Sequence, residues 1–341
     1  MDLSPVLEKL RQNDDFMRDV AAWKQIPARK AQIAQLPTPI TPALQTALHG
    51  RGIDELYTHQ VKAITAVYSH QNVTIATATS SGKSLCYTIP VMERLLANPA
   101  SRALYLFPTK ALAHDQLAEA EALIAAGDLP ISVNSYDGDT PSSRRTKIRR
   151  GGGILISNPD MMHAGILPYH TSWRGFFANL DFIVLDEIHT YRGVFGSHVG
   201  NVVRRISRLC NFYGSDPQFI CCSATIANPK EHAERLVERP FTLIDEQDNG
   251  APTGEKQFIL YTPPIVDEEL GLRGSLTLAA KDAAVTFLRA GVQTITFARA
   301  RQTVELLLTY LREELAYLDG VEASAGRGRG RRPAEASTPS K

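Results

Sequence analysis

Neither sign of charge predominates in this sequence: 37 Lys and Arg stand against 36 Asp and Glu, a formal net charge of +1. That excludes a globally basic surface, so any contact with a polyanion has to come from a local patch. Long apolar runs are also missing. None approaches the ~20 residues of a membrane-spanning helix, and no membrane partner is expected. The N-terminus, Met1-Asp2-Leu3-Ser4-Pro5, lacks the charged-then-apolar pattern of a secretory signal, so the expected location is cytoplasmic. Cysteine is scarce. Cys86, Cys210, Cys221 and Cys222 form no Cys-x-x-Cys pair, and packed free thiols are expected in place of a disulfide framework or a zinc site. There is no internal repeat at a fixed period.

What is present is enough apolar sequence, 43% of 341 residues, to build two packed domains. Val6, Leu7 and Leu10 have helical spacing, and residues 3–24 are expected to be helical. Pro27, Pro37, Pro39 and Pro42 follow as a hinge, so residues 1–48 read as an N-terminal helical segment and a Pro-rich hinge. Residues 49–245 then alternate short apolar runs with amphipathic stretches. The runs are 73–76, 103–107, 131–134, 154–157, 182–185 and 219–222, and the clearest helical stretches are 85–96 and 111–125. Continuous apolar strands separated by helices indicate an α/β domain with a parallel sheet covered on both faces. Residues 246–256 are polar and read as a linker. A second, partial α/β unit is expected over 257–320, with strands at 257–261 and 293–297 and helices at 276–290 and 300–318. Residues 321–341 lack an apolar face, carry Arg327, Arg329, Arg331, Arg332 and Lys341 against Glu322 and Glu335, and read as a disordered Gly/Arg tail.

Thr77-Ala78-Thr79-Ser80-Ser81-Gly82-Lys83-Ser84 follows an apolar run and reads as a phosphate-gripping loop. A helix opening near Lys83 would aim its N–H groups at phosphates, Lys83 would balance their charge, and the Ser84 hydroxyl would ligate magnesium. Thr77 stands where the commonest form of this loop has its first glycine. About a hundred residues on, the apolar run 182–185 ends in Asp186 and Glu187. Asp186 would hold magnesium through water, and Glu187 would orient and deprotonate an attacking water. Ser223-Ala224-Thr225, after the run 219–222, has hydroxyls placed to couple a terminal phosphate to movement.

Together these segments carry a resemblance. Leu56-Tyr57-Thr58-His59-Gln60, the phosphate loop, Phe107-Pro108-Thr109-Lys110-Ala111-Leu112, Ser157-Asn158-Pro159-Asp160-Met161 and Asp186-Glu187-Ile188-His189-Thr190-Tyr191-Arg192-Gly193 occur in the order found in superfamily-two DEAD/DEAH-type helicases. Over residues 20–318 the chain most resembles the Hrq-type and mitomycin-repair DNA helicases. The resemblance implies a RecA-like first lobe over 49–245 and a partial second RecA-like lobe over 257–320. It implies ATP and Mg2+ as cofactors, single-stranded or forked DNA as partner, 3′ to 5′ tracking and a role in repair.

By the same resemblance Gln60 would read the adenine edge. Thr109, Lys110, Asn158 and Asp160 would line the nucleic-acid track, and His189 would relay between the nucleotide and Ser223 and Thr225. Arg144, Arg145, Lys147, Arg149 and Arg150 are either a further nucleic-acid contact or a solvated helix face. Family members complete the site with arginines from a full second lobe, which this sequence lacks. A truncated chain that binds ATP but turns it over poorly is therefore expected. The competing readings are an ATP-responsive nucleic-acid-binding fragment without unwinding, and an RNA helicase.

Overall fold

Apolar runs of three to six residues cannot bury themselves alone. In the structure, a computed structural model that describes residues 3–327, they pair into one seven-stranded sheet. Its strands are β1 (Val73–Ile75), β2 (Arg102–Leu106), β3 (Val133–Ser135), β4 (Gly153–Ser157), β5 (Leu180–Leu185), β6 (Gln218–Cys222) and β7 (Thr242–Ile244). They lie in the order β7-β1-β6-β5-β2-β4-β3, and every neighbouring pair is parallel. The parallel sheet expected from the sequence is therefore present. β7 went unanticipated, because Thr242-Leu243-Ile244 is a short, half-buried edge strand that opens on a polar residue.

Six helices matter to the site: α1 (Thr58–Tyr68), α2 (Lys83–Ala97), α3 (Lys110–Ala126), α4 (Ser142–Arg150), α5 (Gly193–Tyr213) and α6 (Pro229–Val237). The two-residue period of a strand sends alternate side chains to opposite faces. Ala103, Tyr105 and Phe107 join Ile64, Ile89, Met92 and Leu123 from α1, α2 and α3. Leu104 and Leu106 join Val199, Val203 and Ile206 of α5, with Trp173 and Phe177. Both faces are thus closed to water, which is why the strands read as unbroken apolar runs.

Contacts divide the chain into two units, Ala28–Gly254 and the pair Met1–Pro27 with Glu255–Lys341. The first unit is wider than the expected 49–245. Ile33–Ala34 pairs with Leu56–Tyr57, and Pro42, expected in a hinge, opens the helix Pro42–Gly50, where its missing N–H does no harm. Part of the expected linker also belongs to this unit: Arg29 and Thr253 exchange backbone hydrogen bonds of 2.9 and 3.0 Å.

In the other unit the single N-terminal helix is corrected to two short ones, Ser4–Arg11 and Asp14–Arg18. The break comes at Asn13, whose side chain accepts the Phe16 N–H at 3.0 Å. Val20–Ile26 is a strand, antiparallel to Lys256–Tyr261, and the Trp23 ring N–H donates to Gln257 at 2.7 Å. Residues 293–297 form no strand. No strand of this unit pairs with them, and Ile295 and Phe297 are 76% and 89% exposed. Two helices flank them, Leu276–Arg289 and Arg301–Arg327. The second helix continues past Gly320, where the sequence placed the start of a tail, through a stretch containing the helix formers Ala323 and Ala325. Residues 328–341, with most of that tail's arginines, lie outside the described residues.

All four cysteines are free and buried. Among the described residues no helix is long and apolar enough to cross a membrane.

Candidate nucleotide site

In a parallel sheet the loops leaving the carboxyl ends of neighbouring strands emerge side by side, and ligands gather there. β1, β6 and β5 are such neighbours, with Ile75 opposite Cys222 and Leu185 opposite Cys221. This topology brings the phosphate-type loop, Ser223–Thr225 and Asp186–His189 to one place.

The loop after β1 turns twice through the left-handed region, at Ser80 (φ 65°) and Gly82 (φ 79°). Gly82 precedes α2 without a side-chain cap, so the first N–H groups of a 15-residue helix are left for an anion. Buried hydroxyls of Thr77 and Ser81 meet at 2.7 Å across the loop's base, which gives Thr77 a use at the position of the missing glycine. Lys83 folds back, its ammonium donating to the Thr77 and Ala78 carbonyls at 3.0 Å each. Thr79 and Ser80 are exposed at the rim, and Ser84 is half-buried on the first turn of α2.

Gln60 is 1% exposed. Its carbonyl accepts the Tyr57 N–H at 2.9 Å, closing the start of α1, and its amide donates to the Gly82 carbonyl at 3.0 Å. A β-carbon at Gly82 would stand 2.6 Å from that amide nitrogen. Gln60 therefore braces the loop in this structure. Beside it His59 is fully buried and stacked on Tyr57, with both ring nitrogens unbonded, and burial holds its pKa below the ordinary value.

The acidic half sits at the end of β5. Burial, followed by repulsion from Glu187, raises the Asp186 pKa from 3.8 to about 6, although the Glu187 N–H at 2.7 Å and Lys83 pull the other way. The Tyr87 hydroxyl of α2 donates to Gln116 at 2.9 Å and lies 3.4 Å from the other Asp186 oxygen. Glu187 occupies the left-handed region at φ 52°, a strained position for a residue with a side chain. His189 Nδ1 lies 3.1 Å from a Glu187 oxygen and 3.3 Å from the Ala224 N–H. One ring nitrogen cannot serve both, since it either donates to the carboxylate or accepts from the amide. Ser223 is buried, its hydroxyl donating to the Ala224 carbonyl at 2.7 Å, and Thr225 is exposed. An oxygen donor set of the Ser84 hydroxyl and the Asp186 carboxylate fits a hard cation such as magnesium, which takes few protein ligands and keeps water and phosphate oxygens.

Thr109 and Asn158 leave the neighbouring strands β2 and β4 and start the next helical turns. Thr109 Oγ1 accepts the Leu112 N–H at 3.4 Å, and Asn158 Oδ1 accepts the Met161 N–H at 2.8 Å. Lys110 is paired with Asp139 at 2.5 Å, and Asp160 is exposed. These four share the carboxyl edge of the sheet with the loop but lie on the β2–β4 side of it. Arg144, Lys147 and Arg150 are exposed on α4, whereas Arg145 turns inward over the Tyr136 ring at 5.3 Å.

Sequence reasoning missed Glu246, whose carboxylate accepts the Ala78 N–H at 2.9 Å. It follows β7 closely, so the short strand that escaped notice hid it. Tyr87 belongs to the Leu85-Cys86-Tyr87 stretch behind the loop that shares in the family resemblance, but nothing in the sequence pointed to its place beside Asp186.

A phosphate loop and a carboxylate pair at the ends of two parallel strands that flank β6 define a RecA-like P-loop lobe. The DEAD/DEAH box helicase family model matches residues 57–232, and the chain belongs to that family. It is 47% identical over 333 residues to the uncharacterized ATP-dependent helicase YprA of Bacillus subtilis (strain 168), covering 98% of this chain and 44% of YprA. To the ATP-dependent helicase HRQ1 of Saccharomyces cerevisiae it is 37% identical, covering 90% of this chain and 28% of HRQ1. Among solved structures, the DUF1998 helicase MrfA bound to DNA superposes with a TM-score of 0.87 at 48% identity, covering 92% of this chain and 41% of MrfA. The chain thus spans less than half the length of each of these relatives.

Proposed function

We propose that this chain is the ATP-binding lobe of an ATP-dependent DNA helicase that tracks 3′ to 5′ and acts in DNA repair in the cytoplasm. The observation that supports it most is the convergence of Lys83, Asp186 and Glu187 at the carboxyl ends of β1 and β5, the two strands that flank β6. ATP-dependent helicases among its relatives, and MrfA bound to DNA and to DNA with AMPPNP, give the direction.

Ser84 and Asp186 would hold magnesium, which would supply charge neutralisation at the terminal phosphates. Lys83 leaves the loop carbonyls for the β- and γ-phosphates, joined by the N–H groups at the start of α2. Glu187 orients a water and takes its proton, while the His189 Nδ1 choice between Glu187 and Ala224 reports the state of that carboxylate to Ser223–Thr225. Thr109, Lys110, Asn158 and Asp160 line the DNA backbone on the β2–β4 side, and Gln60 reads the adenine edge once the loop opens.

The test is phosphate release with single-stranded DNA, forked DNA and RNA. Wild type is expected to be stimulated most by DNA, and Lys83→Ala to lose about a hundredfold or more of that rate, as removal of a phosphate-charge partner does. Equal release by both proteins rejects the enzyme reading and favours an ATP-responsive binding module. Stronger stimulation by RNA reassigns the substrate. A second expectation concerns the loop alone: Gly82→Ala forces its β-carbon against Gln60 and strains a φ of 79°. Nucleotide affinity should fall about tenfold or more, and strain of roughly 1–3 kcal/mol should lower the melting temperature by several degrees. Isothermal titration and a thermal melt read the two quantities.

A further inference from the structure

The Thr77–Ala78 peptide is gripped from both ends. In a trans peptide the C=O and the following N–H point in opposite directions within one plane, and no peptide among the described residues is cis. Here the Thr77 oxygen accepts from the Lys83 ammonium at 3.0 Å, while the Ala78 N–H donates to Glu246 Oε2 at 2.9 Å. A cation and a carboxylate therefore face each other through a single amide. Each polarises it in the sense that strengthens the other's hydrogen bond.

Glu246 is itself held from two further sides. Asn249 Nδ2 lies 3.0 and 3.1 Å from its two oxygens, and Arg29 Nη1 donates to Oε1 at 3.3 Å. Arg29 is anchored in turn by its Nε on the Ala251 carbonyl at 3.3 Å and by its backbone pairing with Thr253. These contacts hold the Glu246 acid below the ordinary carboxyl range despite its partial burial. It presents a full negative charge to the loop, a sign unsuited to direct contact with a triphosphate.

We propose that Glu246 is a positioning residue for the phosphates, acting through the Thr77–Ala78 peptide to park Lys83 on the loop's own carbonyls until a triphosphate draws it away. The inference rests on the assignment of Lys83 as the phosphate-binding cation. The parked lysine lowers the fraction of protein ready to bind, and apparent affinity falls by that fraction. Weakening the carboxylate should therefore tighten nucleotide binding, the opposite of what loss of a merely structural contact does. The Arg29–Thr253 pairing puts the same latch beside Ala28 and Gly254, where the chain enters and leaves this unit.

The test compares wild type with Glu246→Gln, which keeps the shape and an acceptor oxygen, and with Glu246→Ala. Amine labelling of nucleotide-free protein, read by mass spectrometry, reports Lys83 directly, with exposed Lys230 as the internal control. Lys83 should label several-fold faster in both variants and Lys230 at an unchanged rate. The Kd for Mg-ATP should fall about three- to tenfold in Glu246→Gln, the range expected for weakening one charge-assisted hydrogen bond. Unchanged Lys83 labelling, or weaker ATP binding by a variant whose thermal melt is intact, overturns the proposal. If wild type binds no nucleotide, the functional assignment fails, while the labelling still decides the latch. If Glu246→Ala does not fold, Glu246→Gln decides alone.

Discussion

Replacing Glu187 by glutamine is expected to leave ATP binding within about threefold of wild type and to cut hydrolysis by about 10²–10⁴-fold, the usual effect of removing a general base. The side chain keeps its length and still reaches the pocket, but a carboxamide cannot accept the proton of an attacking water. The backbone argues for the same role. A residue with a side chain at φ 52° costs roughly 1–3 kcal/mol, and the strain persists only because the surroundings impose it. Those surroundings are the Glu187 N–H held by Asp186 at 2.7 Å and a carboxylate oxygen beside His189 at 3.1 Å, with the side chain only 25% exposed. The variant should also disturb coupling. A carboxamide N–H can donate to His189 Nδ1 and compete with the Ala224 N–H now 3.3 Å away. DNA should therefore stimulate the residual turnover less than it stimulates wild type. Single-turnover hydrolysis with and without DNA measures both effects, and wild-type turnover in Glu187→Gln would move the base elsewhere.

The sheet was legible because its central strands are buried on both faces, so Phe182-Ile183-Val184-Leu185 and its counterparts stand out as unbroken apolar runs. β7 was not, since Thr242-Leu243-Ile244 is a short, half-buried edge strand that opens on a polar residue, and Glu246 was lost with it. Residues 20–24 of the strand Val20–Ile26 read as helix in the sequence, because their pairing with Lys256–Tyr261 depends on residues far along the chain. Gln293–Phe297 failed in the opposite sense: its composition favours a strand, but strands need partners. At the site, the residue types of Lys83, Asp186 and Glu187 announce their chemistry, and the sheet order brings them together. What no spacing rule conveys is that Lys83 and Gln60 are both engaged by the loop's own carbonyls.

Asp186 carries the largest expected effect on stability, with a sign opposite to its effect on activity. Its folded-state pKa of about 6 lies above the ordinary 3.8, so folding favours the protonated acid. Above about pH 6 the ionised group is disfavoured in the folded protein by at most roughly 3 kcal/mol, and below 3.8 the penalty is absent because both states are protonated. Asp186→Asn removes the charge and preserves the shape: one atom still accepts the Glu187 N–H, and the introduced amide can donate to the Tyr87 oxygen. Without magnesium or nucleotide, the variant should melt higher than wild type at pH 8, by up to roughly 6–12 °C for a domain of this size. The advantage should shrink as pH falls through 6 and vanish near pH 4. Hydrolysis should fall by about 10³-fold or more, since a neutral amide is a poor ligand for a hard dication. In wild type, protons compete with magnesium at this oxygen, so Mg-ATP affinity should weaken by up to about tenfold per pH unit below 6. Melts of both proteins across pH 4–8 separate this account from a packing effect: a difference that does not change with pH would mean that Asp186 is not a buried, ionised group at the end of β5.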